Sequence, residues 1–131
     1  MKEKEDKLIS TICLENGLLI SFYDESRKIA EDRWQVTLTA RIKILTAKVV
    51  FTRMNPEKRS EIIQEVGDHI YYEKKLIRNF VGEIQKEETV TALYESFLQI
   101  TRPYFSHSQF AERFILKKYA DSLEKRKWVN S

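Results

Sequence analysis

Arg33-Trp34-Gln35-Val36-Thr37-Leu38-Thr39-Ala40-Arg41-Ile42-Lys43-Ile44-Leu45-Thr46-Ala47-Lys48 is the stretch on which the reading of this chain turns. The even positions from Trp34 to Ile44 are apolar, and the odd positions from Arg33 to Lys43 are polar or charged. Strict period-two alternation belongs to a β-strand with one face in a core and the other in water. A slip of one residue would move every apolar side chain into solvent, so the register is firmly set.

On the N-terminal side, Lys7 to Glu15 reads as a strand with Leu8, Ile12 and Leu14 on one side and Ile9, Thr11 and Cys13 on the other. Asn16-Gly17 then predicts a two-residue type I′ hairpin, because both residues tolerate positive φ. Leu18 to Tyr23 is the returning strand, and Asp24 to Asp32 reads as a charged connection rather than a strand. Three strands in succession predict an antiparallel meander. The long strand is expected to run on through Val49, Val50 and Phe51 after a bulge, since the alternation changes phase near Leu45 to Lys48.

On the C-terminal side, Asn55-Pro56 opens a helix that Gly67 is placed to end. His69 to Val81 fits either a strand or a helix. Its β-branched and aromatic residues (Ile70, Tyr71, Tyr72) favour a fourth strand. Val90, Leu93, Tyr94, Phe97, Leu98 and Thr101 recur at helical spacing, and Arg102-Pro103 predicts that helix's end. Ser106 and Gln109 have the spacing of a capping box, with Phe105 and Phe110 as its hydrophobic staple. A last helix follows with Phe114, Leu116, Tyr119 and Leu123 on its apolar side. The fold class expected is α+β in the order β-β-β-α-β-α-α. Its helices pack on the sheet face that carries Trp34, Val36, Leu38, Ile42 and Ile44. Residues 1–131 read as a single domain, with 1–6 and 126–131 frayed and Trp128 free to dock back.

Composition excludes more than it identifies. The chain has 131 residues, 42% hydrophobic and 33% charged, and the apolar residues are too periodic for a disordered chain. Net charge is +3, but from Arg102 onward seven Lys/Arg stand against three acids. A solvated helix end explains that basic tail, and nucleic-acid binding through it is a disfavoured third reading. One cysteine, Cys13, rules out an internal disulfide and reads as a small core hydrophobe. Met1 to Lys7 is charged with no apolar run behind it, and no stretch approaches the roughly 20 apolar residues of a membrane span. No membrane partner and a cytoplasmic location are the expectations.

Catalytic motifs are missing. His69 and His107 stand 38 positions apart without metal-ligand spacing, so neither a metal nor a cofactor is expected. Gly17, Gly67 and Gly82 are scattered, which leaves no phosphate-cradling loop and no Gly-x-Ser-x-Gly elbow. Asp24, Arg27, Asp32 and Arg33 are the candidate ligand-binding residues, because they put both charges on one connection at a sheet end. A pocket there, joined by His69 and Glu73, is the small-molecule receptor or enzyme alternative. The Asp24-x-Ser26 pair resembles a fragment of the PilZ cyclic-dinucleotide receptors. Their arginine pair lies upstream and their motif ends in glycine, whereas here Arg27 and Arg33 follow without one, so the likeness is treated as accidental. Thr39, Arg41 and Lys43 on the outer sheet face could hold an anion or RNA, but no aromatic pair is visible among them, which favours a solvated face. The leading expectation is a non-enzymatic binding or protein-interaction module that pairs into a homodimer through open sheet edges.

Overall fold

A computed structural model describes residues 7–52 and 54–130, with side chains described through residue 128. Among the described residues the fold is α+β, an antiparallel sheet with helices on one face. The long alternating stretch forms β4 (Arg33–Leu45), and every other strand is arranged around it or its neighbour. β5 (His69–Gly82) pairs with the whole length of one flank, from Arg33 opposite Gly82 to Leu45 opposite His69. The strand reading of this ambiguous segment therefore holds. On the other flank β2 (Leu19–Asp24) pairs with Leu38 to Ile42, and β1 (Lys7–Cys13) pairs with β2 outside it.

Asp24 to Asp32 is not a loop throughout. Arg27–Ala30 forms β3 against Arg33 to Gln35. The physical reason is that β2 is shorter than β4, so the β4 edge beyond Leu38 still needs hydrogen-bond partners. The chain kinks at Glu25 and Ser26 and rejoins the same flank. The Asp24 carboxylate accepts from the Ser26 N–H at 2.9 Å, and the Glu25 N–H donates to the Thr37 carbonyl at 2.9 Å.

Val36, Leu38, Ala40, Ile42 and Ile44 are all completely buried on the inner face, as the alternation requires. Ile20 and Phe22 of β2 extend this floor. Three helices cover it: α1 (Pro56–Val66), α2 (Lys86–Ser106) and α3 (Phe110–Asn130). The Phe22 ring meets Tyr94 at 4.8 Å and Phe97 at 6.1 Å, both edge-on, the geometry that aromatic quadrupoles prefer. Asn55 caps α1 by accepting from the Lys58 N–H at 2.7 Å, Pro56 occupies its first turn, and Gly67 ends it at φ +95°.

Other local expectations are corrected. The β1–β2 turn has positive φ at Gly17 alone, and Leu14 bonds Leu18 across Glu15, Asn16 and Gly17. It is therefore a three-residue loop with glycine in the left-handed position, not a type I′ turn. β4 stops at Leu45, where a 3₁₀ turn (Thr46–Lys48) replaces the expected bulge and continuation. Thr46 is buried there and donates to the Gly67 carbonyl at 2.7 Å, which bends the chain away from the sheet. α2 continues one turn beyond Arg102 through Pro103. The capping box does not form, because Ser106 ends α2 and donates to Glu15 at 2.5 Å. His107 does the capping instead, its Nδ1 accepting from the Gln109 N–H at 3.1 Å. The Phe105–Phe110 pair does pack, with centroids 5.2 Å apart.

α3 buries Phe110, Ile115 and Tyr119 and leaves Leu123 exposed, a face rotated from the expected stripe. It runs to Asn130. Trp128 is 76% exposed. Cys13 is exposed on the outer face rather than in the core, because it alternates with Ile12 and the buried Leu14 and pairs with the exposed Leu19. The expectation for residues 1–6 lies outside the described residues. No helix among the described residues is long and apolar enough to cross a membrane.

Candidate functional site

Of the four charged residues singled out from sequence, the structure pairs Asp32 with Arg33 and gives Asp24 and Arg27 other partners. Asp24 is buried at the end of β2, with Lys86 Nζ 4.0 Å from its carboxylate. Arg27 is exposed on β3 and its Nε donates to Gln35 at 3.2 Å. Asp32 and Arg33 sit at the β3–β4 turn and pair with each other at 3.1 Å. His69 lies at the opposite end of the β4–β5 ladder from Arg33, roughly 40 Å away at the usual rise per strand residue. Glu73 is midway along and is held by Arg41.

The concave surface lies elsewhere. A groove of about 800 Å³ opens on the outer face of the sheet and runs round its end. Its floor is the wet side of β4 and its neighbours: Ser21, Tyr23, Arg41, Lys43 and Tyr71. Register explains the grouping. Arg41 stands opposite Ser21 on β2 and Glu73 on β5, and Lys43 stands opposite Tyr71. Lys48 and Val49 reach the groove because the 3₁₀ turn folds the chain back over the sheet end. The β1–β2 turn and Ser108 and Ala111 at the start of α3 complete the wall.

Chemically the groove is cationic and partly aromatic. Arg41, Lys43 and Lys48 line it, and none of its described lining residues is an aspartate or glutamate. Arg41 is fixed from two sides. Its guanidinium lies 4.8 Å from the Tyr23 ring centroid, and its Nε donates to Glu73 at 2.8 Å. The hydrogen bond that Arg41 donates to Glu73 raises the Arg41 pKa above its ordinary value. Tyr71 is about half exposed, with the His69 ring edge-on at 5.4 Å. The volume falls within the range of about 300–1,000 Å³ typical of small-molecule sites.

No family model matches the chain, no curated protein matches its sequence, and no solved structure matches its fold.

Two aromatics not apparent beside Arg41 and Lys43 in the linear sequence reach the outer face, one from each strand flanking β4. Tyr23 and Tyr71 are 48 positions apart, and only the sheet register brings them beside Arg41 and Lys43. The alternation of β4 was the available signal, since it put Arg41 and Lys43 on one wet face. Its partners' registers carried no such signal. The basic C-terminal helix spends part of its charge internally, with Arg126 paired to Glu65 and Lys117 to Asp121 at 3.5 Å. Among the described residues no group of three His, Cys, Asp or Glu is arranged to hold a metal ion.

Proposed function

We propose that this chain is a non-enzymatic binding module whose working surface is the outer-face groove and whose ligand is a small anion or anionic group. The observation that carries the reading is the convergence of Arg41, Lys43 and Lys48 on one concavity with no carboxylate among its described lining residues. Glu73 offsets part of the Arg41 charge, and an anionic occupant relieves the repulsion that remains among the three cations. The partly positive start of α3 adds to the same field. None of the described lining residues is a histidine, aspartate or glutamate that could act as base to Ser21 or Ser108, which favours binding over turnover.

Self-association through sheet edges is the weaker reading. Among the described residues β1 and β5 each pair on one flank only. Both strands carry irregular register, and β5 bears Lys74, Lys75 and Arg78, features that discourage edge-to-edge pairing. The test is calorimetric titration of the full chain with inorganic pyrophosphate at low and moderate salt. Saturable binding that weakens with salt and is lost in Lys43→Glu supports the reading. No heat above dilution at low salt overturns it.

A further inference from the structure

We infer that the groove recognises a phosphate joined to a planar ring, a ligand of the nucleoside diphosphate class, with Tyr71 as the ring platform. This rests on the anion-binding reading above and adds to it. The groove's two tyrosines are not equivalent. They flank β4 on opposite sides, Tyr23 opposite Thr39 and Tyr71 opposite Lys43. At usual strand spacing they lie roughly 16 Å apart, too far to sandwich one ring. One face of Tyr23 is already covered by the Arg41 guanidinium. Tyr71 meets the His69 ring near-perpendicular at 5.4 Å and keeps close to half its surface open.

Tyr71 is also beside the charge. It stands directly across from Lys43, and Arg41 is one diagonal step along the same face. A ring stacked on Tyr71 would bring an attached diphosphate within reach of Lys43 and Arg41. Lys48 closes the far side from the 3₁₀ turn. The arrangement separates two recognition tasks between different side chains. Lysine and arginine take the phosphates, and the exposed tyrosine takes the ring. Stacking on one aromatic contributes a preference on the order of ten-fold and tolerates different bases.

The experiment titrates the full chain in parallel with inorganic pyrophosphate, a nucleoside diphosphate and a single-stranded oligonucleotide at one salt concentration. The nucleoside diphosphate is expected to bind about ten-fold more tightly than pyrophosphate. Tyr71→Ala is expected to abolish that advantage, its loss falling on the nucleoside diphosphate far more than on pyrophosphate, and Tyr71→Phe to retain it. Equal binding of pyrophosphate and nucleoside diphosphate overturns this inference and leaves the anion reading standing. So does a Tyr71→Ala loss that is the same for both ligands. If neither small ligand binds, the anion reading falls as well. Oligonucleotide binding far tighter than the diphosphate would assign the face to a polymer and overturn the inference.

Discussion

Arg41 and Glu73 face each other across β4 and β5, and both the Nε and the Nη2 of the arginine address one carboxylate oxygen, at 2.8 and 2.6 Å. The pair therefore uses one oxygen of Glu73 and two nitrogens of Arg41. It holds the guanidinium against Tyr23 and subtracts from the charge offered to the groove. In Glu73→Gln the guanidinium keeps its place over Tyr23 and loses its counter-charge. Stability should change by less than about 1 kcal/mol, because the pair is partly exposed. Pyrophosphate affinity should rise several-fold in calorimetric titration. A fall in affinity would remove Arg41 from the anion site.

Acid sensitivity follows from two other carboxylates. Tyr119 donates to Glu61 at 2.8 Å and Lys58 adds a second bond at 3.2 Å, which together lower the Glu61 pKa below its ordinary 4.5. Glu15 is lowered as well, chiefly by the Ser106 hydroxyl and then by its own backbone N–H. A carboxylate with a depressed folded pKa contributes its full stability above the unfolded value. The contribution falls as pH drops below 4.5, where the unfolded chain takes up protons first, and is gone once the folded group protonates. Urea unfolding between pH 7 and pH 3 should show midpoints that decline below about 4.5. Glu61→Gln should start lower at neutral pH and decline less steeply.

The fold was readable where one strong periodicity sufficed and unreadable where partners decide. Val36 to Ile44 reported the burial of their even positions through the alternation, whereas Thr37 and Thr39, expected on the wet face, are buried too; Asn55-Pro56 with Gly67 marked both ends of α1. Arg27 to Ala30 looked like a loop because they are exposed and short. They are a strand only because β4 outruns β2. Ser106 had capping-box spacing, but Glu15, 91 positions away, captured its hydroxyl. The groove failed to appear for the same reason. Each of its tyrosines is unremarkable locally, and the site exists through pairing across three strands.

Phe80 is strained where it gains little. Asn79 and Phe80 form a bulge opposite Gln35, and Phe80 takes φ +58° with its side chain 74% exposed. A left-handed backbone costs a non-glycine residue about 1–2 kcal/mol. An exposed ring recovers little of that by packing. Phe80→Gly removes the strain and loosens the unfolded chain, two effects of opposite sign. Phe80→Asn removes much of the strain without the second effect, since asparagine tolerates this region. Denaturation midpoints should rank Asn above Phe, by up to about 1 kcal/mol. A large loss in Phe80→Asn would mean that the ring makes a stabilising contact.

Asn16 joins the first turn of the chain to the α2–α3 corner. Its Nδ2 donates to the Phe105 carbonyl at 2.7 Å and the His107 carbonyl at 3.0 Å, while its Oδ1 accepts from the Leu18 N–H at 3.2 Å. The Phe105 carbonyl belongs to the last turn of α2, whose oxygens lack helical partners and carry partial negative charge, and the His107 carbonyl just beyond it also accepts from the Phe110 N–H at 3.0 Å. An amide suits the position because one side chain supplies donors to the helix end and an acceptor to its own loop. Asn16→Ala leaves the carbonyls without this donor and should cost about 1–3 kcal/mol. Asn16→Asp keeps the acceptor for Leu18 but points a carboxylate at the negative end of the helix. It should therefore be the more damaging change at neutral pH, and should recover toward the alanine variant as acid protonates it. Urea midpoints of the two variants at pH 7 and near pH 4 test the order. If aspartate is as stable as asparagine at neutral pH, the two donated bonds are not what fastens the hairpin to the helix.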